Sequence, residues 1–248
     1  MQQKRALIWA LGVVLGVGVL QARTNNQFRT HSTWKDGLFV GTSYQTGTIT
    51  ILTQNSTVDT LTGLKRNLNR NDMNVGANGL GFNVGYTGYF RKDQMFGARY
   101  YAFIDWQGFG ARYVKSPYGG GLYYGGNNML TYGAAADFFY NFFQGAFYRN
   151  DISLDLGVYV GVAIAGNSWF LGDAGQRALG LPSNAKPSVS TFQFLFNFGL
   201  RALFVGTHGV DIGFKFPTIN DKYYSDSYFS AQFRRTFAFY IGYNYHFQ

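Results

Sequence analysis

The 248-residue chain carries 21 Lys and Arg against 12 Asp and Glu, a formal charge of +9, with 33 glycines, 19% aromatic residues and no cysteine. Charged residues are 13% of it, about half the share in ordinary soluble proteins, yet no interior stretch reaches the ~18 continuous apolar residues of a membrane helix. Disulfide and thiolate chemistry are excluded, and a mean hydropathy of -0.11 argues against a helical membrane protein.

The chain starts like an exported one. Lys4 and Arg5 form a positive stretch, residues 6–20 an apolar core, and Leu20-Gln21-Ala22 a cleavage site, which predicts a signal peptide over 1–22. Loss of Lys4 and Arg5 takes the charge from +9 to +7. That excess suits an anionic lipid surface, and nucleic acid is not expected as a partner of a secreted chain. Residues 23–36 read as a periplasmic N-terminal segment and 37–248 as a β-barrel.

Strict alternation with period two, which sends successive side chains of a strand to opposite faces, recurs along 37–248. A weaker first strand is predicted over 38–45. Over 80–86, Leu80, Phe82, Val84 and Tyr86 alternate with Gly81, Asn83 and Gly85. Over 96–106, Phe96, Tyr100, Ile104 and Trp106 oppose Arg99, Tyr101 and Asp105, so both charges share a face. Residues 130–142 follow the rule less sharply, with Gly133, Asp137 and Asn141 on the second face. The cleanest case is 152–164, where Leu154, Leu156, Val158, Val160 and Val162 face away from Ser153, Asp155, Gly157 and Tyr159. A helix cannot produce that separation. Strands over 192–200 and 210–216 repeat it, and the last, 237–247, carries Phe237, Phe239, Ile241, Tyr243, Tyr245 and Phe247 on its odd positions. Eight strands are expected, the even number of a bacterial single-chain barrel. The predicted fold is therefore an all-β, antiparallel up-and-down barrel in the outer membrane of a Gram-negative bacterium. Residues 48–52 leave open an added hairpin and ten strands.

An Arg or Lys turned to lipid at the bilayer midplane costs about 2–4 kcal/mol, so the charged face must be the lumen. Parity places Arg99, Asp105, Asp137, Asp155, Arg201, Asp211, Lys215 and Arg234 there, expected to form ion pairs across a filled interior or, as the functional reading, to line a narrow selective pore. The connections alternate. Those around 91–94, 143–151 and 203–209 are short, as periplasmic turns are, while 47–78, 108–128, 166–190 and 218–228 are long and extracellular. Aromatics such as Phe90, Phe142 and Phe247 at one rim and Tyr44, Trp106 and Phe192 toward the other read as interfacial belts. A soluble lipocalin-like barrel would also alternate, but its polar face would meet water, and here that face is largely Gly, Ala, Asn and Tyr.

The run from Phe192 through Phe198-Gly199-Leu200-Arg201, then His208-Gly209-Val210-Asp211-Ile212-Gly213-Phe214-Lys215-Phe216-Pro217 and Tyr223-Tyr224, resembles the C-terminal barrel signature of the Helicobacter outer membrane protein family, the Hop and Hor proteins. The ending from Phe233-Arg234-Arg235 to Phe247 and the first strand, Asp36-Gly37-Leu38-Phe39-Val40-Gly41, are similar too. The resemblance implies an outer-membrane barrel whose relatives include adhesins and porins. The large cysteine-bearing extracellular region of the adhesins is absent. Tyr243, Tyr245 and Phe247 stand as the C-terminal signal for the barrel-assembly machinery, with Gln248 following the usual terminal aromatic.

Catalysis is not expected. Of three histidines, His31 precedes the first strand, His208 lies in a periplasmic turn and His246 ends the last strand, away from the outer leaflet where a lipid-acting or proteolytic barrel would need its base. No metal-ligand spacing or phosphate loop is present, and neither metal nor cofactor is expected. Arg235 has outward parity above the lipid core and is expected to contact lipopolysaccharide, with help from Arg112 and Lys115 in the second long connection. The expected role is structural or surface-interactive, the loops being open to host ligands; a narrow small-solute channel and an adhesin are the alternatives.

Overall fold

In the structure, a computed structural model, residues 35–58, 65–90, 93–110, 112–116, 119–123, 126–147, 152–172, 176, 190–225 and 228–247 are described, with the backbone alone at 58, 65–69, 112–116, 119–123, 146–147 and 152. The expected signal peptide, His31 and Gln248 lie outside the described residues. Among the described residues eleven strands are formed: β1 (Gly37–Val58), β2 (Lys65–Tyr89), β3 (Phe96–Phe109), β4 (Arg112–Ser116), β5 (Gly119–Tyr123), β6 (Asn128–Phe147), β7 (Ile152–Phe170), β8 (Ser190–Phe204), β9 (His208–Pro217), β10 (Asp221–Ser225) and β11 (Phe229–His246).

Eight of them, β1-β2-β3-β6-β7-β8-β9-β11, pair antiparallel in chain order, and β1 pairs with β11 to close the ring. Closure removes the two open edges that a sheet would otherwise expose to hydrocarbon, where an unpaired backbone group has no water to bond. β4 and β5 form a separate hairpin, while β10 adds to β11 beyond the end of β9.

The long connections are shorter than expected because the strands run on. β1 has 22 residues and β2 has 25, whereas a tilted strand needs only about 9–11 to cross the membrane. Residues 48–52 therefore continue β1 itself, paired on one side to β2 and on the other to β11, and add no ninth and tenth wall strands.

On the outer wall, Leu80, Phe82, Val84, Tyr100, Trp106, Val160, Ile164, Phe196, Phe198 and Leu200 are exposed. Higher up the polarity inverts. Outward positions become Thr48, Thr50, Asn74 and Asn78, while the inward ones become Ile49, Ile51, Ala77, Phe109, Met129, Trp169, Tyr223 and Phe233, which form one buried cluster. Lipid no longer bathes the wall there, so the ordinary rule for a protein in water returns.

The register is not uniform. β1 pairs Thr48 with Phe237 but Ile49 with Arg235, so Thr236 is an extra residue on β11. Such a bulge flips all later positions to the other face. Arg235 is consequently buried, 2% exposed, and Arg234 points outward and is exposed. This reverses the expected placement of both: Arg234 is not a lumen residue, and Arg235 is not available on the wall.

At the periplasmic end, the three-residue β8–β9 connection holds a β-turn whose central residues are Val205 (φ 54°) and Gly206 (φ 69°), closed by the Thr207 amide donating to the Phe204 carbonyl at 3.1 Å. Two positive φ values are those of a type I′ turn, whose twist matches the flanking strands but strains a β-branched residue.

Two outcomes follow from this register and this turn. In a chain free of cysteine, Arg234→Cys on intact cells will react with a membrane-impermeant maleimide and Arg235→Cys will not; equal labelling would dismiss the bulge. Val205→Asn will raise the urea midpoint of the detergent-folded barrel, by about 1 kcal/mol of stability.

Candidate functional site

Inward parity brings seven of the expected charges into the lumen, each no more than 6% exposed: Arg99, Asp105, Asp137, Asp155, Arg201, Asp211 and Lys215. β3 and β6 place Arg99 directly opposite Asp137, and β8 and β9 place Arg201 opposite Asp211. Arg99 donates from Nε to Asp137 Oδ2 at 2.8 Å and from Nη1 to Asp211 Oδ2, tying one side of the barrel to the other. Its guanidinium lies 4.4 Å from the centre of the Tyr159 ring. The hydroxyls of Tyr159 and Tyr240 bond to each other, and a Cβ at Gly199 or Gly213 would overlap the Tyr159 hydroxyl, so this crowded level requires both glycines. Asn197 Nδ2 donates to the other oxygen of Asp137, Oδ1, at 3.4 Å, and Asn244 Nδ2 joins Arg99 on Asp211 Oδ2 at 2.8 Å.

One level outward, the Lys215 ammonium donates to Asp105 Oδ2 at 2.6 Å and lies 4.8 Å from the Phe103 ring centre. Gln45 joins Asp105 to Arg235: its Nε2 donates to Asp105 Oδ1, and its Oε1 accepts from Arg235 Nη2 at 3.1 Å. Arg235 thus becomes a member of the interior network.

Toward the periplasm, Arg201 stacks 3.9 Å from the Phe139 ring centre rather than pairing with Asp211, which Arg99 already occupies. Asp155 takes Lys35 Nζ at 2.6 Å. Lys35 shares the odd parity of Phe39, Ser43 and Gln45, so extending the first strand's alternation two residues back would have found it. Asp36 Oδ1 accepts the Tyr89 amide at 2.8 Å, fixing the same segment to the rim of β2.

Asp221 was hidden in a presumed loop. It accepts from Asn167 Nδ2 at 3.0 Å, Trp169 Nε1 at 2.8 Å and Gln193 Nε2 at 3.3 Å. Burial raises its carboxyl above the usual range against the lowering effect of the Asn167 and Trp169 donors. Above it lies the apolar cluster, with Trp169 stacked on Phe233 at 4.7 Å and Phe109 edge-on to Trp169 at 5.6 Å.

The remaining expected positions are scattered. Arg112 and Lys115 fall on β4, of which the backbone alone is described. Tyr243, Tyr245 and Phe247 face outward at the periplasmic end of the last strand, with Tyr245 and Phe247 in edge contact at 5.0 Å. His208 Nδ1 meets the Tyr243 hydroxyl at 2.7 Å, and His246 is buried against Phe39, ring centres 5.3 Å apart. Among the described residues no group of three His, Cys, Asp or Glu side chains is placed to hold a metal ion.

A closed wall, apolar toward lipid and ionised within, defines an outer-membrane β-barrel of Gram-negative bacteria. The chain belongs to the Helicobacter outer membrane protein family, which it matches over residues 81–247. Solved structures similar to it include the outer membrane protein OprG from Pseudomonas aeruginosa, at 15% identity over 86% of this chain and 96% of that one, with a TM-score of 0.46. Ail, the attachment invasion locus protein of Yersinia pestis, is 14% identical over 84% of this chain and 98% of its own, with a TM-score of 0.28. The outer membrane protease OmpT from Escherichia coli is 10% identical over 84% and 97%, with a TM-score of 0.31. No curated protein matches the chain.

Arg99→Met leaves Asp137 and Asp211 buried without their cation and will destabilise the barrel by about 3–5 kcal/mol. Adding Asp137→Asn and Asp211→Asn will recover much of that loss in urea titrations followed by tryptophan fluorescence. A single variant as stable as the parent would show that the cross-lumen pairs carry no energy.

Proposed function

We propose that this protein is a non-conducting, non-enzymatic barrel that acts as a structural element of the outer membrane and presents its extracellular strands for surface contacts. The filling of the lumen carries this reading. Between the Arg99 and Lys215 levels the interior holds a cavity of about 20 Å3, lined by residues including Ser43, Asn83, Asp105, Asp211, Lys215 and Asn244. That is room for about one water molecule. The charges that would line a narrow pore are paired with one another, except Arg201, which stacks on Phe139, and the Trp169 and Phe233 cluster caps the outer end. Opening a path would mean breaking buried ion pairs and unstacking aromatic rings together.

Surface contact as the outward role is supported by the length of β1 and β2, which carry a paired hairpin well past the level where lipid-facing residues end. The exterior of that hairpin is polar, with Asp72 and Asn74 exposed and Asp72 paired to Arg70 at 3.0 Å. A non-enzymatic reading fits the two described histidines at the periplasmic end, His208 bonded to the Tyr243 hydroxyl and His246 buried against Phe39. The outward Tyr243, Tyr245 and Phe247 fit a C-terminal strand read by the barrel-assembly machinery.

Purified protein in planar bilayers will give no steady single-channel steps at low or high salt. Reproducible steps of one size, abolished by antibody or by heating, would replace this reading with a pore.

A further inference from the structure

We propose that Arg234 and Lys222 form a site on the outer wall of the barrel for a phosphate group of lipopolysaccharide in the outer leaflet. The Thr236 bulge turns Arg234 outward, where it is exposed. Lys222, also exposed, stands on β10 opposite Gln232, the next outward residue of β11 above Arg234. The two cations are therefore diagonal neighbours on one face of the ladder, a spacing of about 7–8 Å that long side chains close easily.

Their height gives the site its meaning. Ascending the outward face of β11 from the periplasm, the residues are Phe247, Tyr245, Tyr243, Ile241, Phe239 and Phe237, and Arg234 is the first charge met. Phe214 of β9 packs beside this column, its ring centre 5.3 Å from that of Phe239 and 6.5 Å from that of Phe237. Beside Arg234 on the neighbouring strand the wall turns polar, where the Thr50 hydroxyl bonds Asn74 at 2.7 Å and the Thr236 hydroxyl at 3.2 Å. Arg234 and Lys222 thus sit where hydrocarbon gives way to headgroups.

Neither cation has a carboxylate within ion-pair distance among the described residues, and the nearby outward acid, Asp72, is held by Arg70. A forked guanidinium beside an ammonium and a hydroxyl matches a phosphate monoester. The aromatic column directly below is suited to acyl chains, which favours a lipid-borne phosphate over a free one. The proposal uses nothing of the lumen and stands apart from whether the barrel conducts.

The test uses the full chain in nanodiscs containing either phosphorylated or dephosphorylated lipid A, with bound lipid counted per protein by mass spectrometry. Wild type will retain phosphorylated lipid A about tenfold better than Arg234→Gln/Lys222→Gln, and Arg70→Gln/Asp72→Asn, which removes an exposed pair as a whole and frees no charge, will match wild type. Dephosphorylation will bring wild type down to the double variant. Equal retention by wild type and a double variant whose heat-modifiable mobility is intact would overturn the proposal. Should the double variant fail to fold, equal retention of the two lipids by wild type would overturn it just as directly.

Discussion

A strand crossing hydrocarbon must pair every backbone group and keep its ionised side chains away from lipid, and almost everything in this molecule follows from those two demands. The β1–β11 closure meets the first. The second loads the interior with charge, and a narrow eight-stranded interior has no room for solvated ions. Charges driven inside must therefore find each other. Arg99 spanning to Asp137 and Asp211, Lys215 on Asp105 and Lys35 on Asp155 are the result. The same requirement that makes the protein insoluble in water makes its lumen a tight polar core.

The molecule also shows where that demand stops. At the level of Ile49, Trp169 and Phe233 the apolar residues move inside and threonine and asparagine move outside, although the β1–β2 ladder runs on through this level without a shift. One sheet thus serves two solvents, and the change of polarity locates the membrane surface on the protein. The aromatic cluster above that line packs across the interior, while the ion pairs below it tie strands together.

The bulge at Thr236 is small in extent and large in effect. One additional residue exchanges the surroundings of two adjacent arginines, sending Arg235 to Gln45 and the Lys215–Asp105 level and leaving Arg234 at the lipid boundary. Adjacent arginines on a strand always face opposite ways; which of them enters the lumen is decided by register.

Alternation alone determined that the chain makes a membrane barrel, which face meets lipid, and seven of the charges that turn inward, because a side-chain period of two is local and each strand displays it without help. Asp105 and Asp137 could be placed without knowing what they touch. Tertiary structure decided the partners, since Arg99 and Asp211 lie 112 positions apart and meet only when the ring closes. It also decided the arginine exchange, because a bulge arises from pairing with β1 and leaves no mark on β11 itself. The extracellular cap and Asp221 escaped for a related reason: beyond the membrane, strands of mixed polarity look like loops until their partners are known.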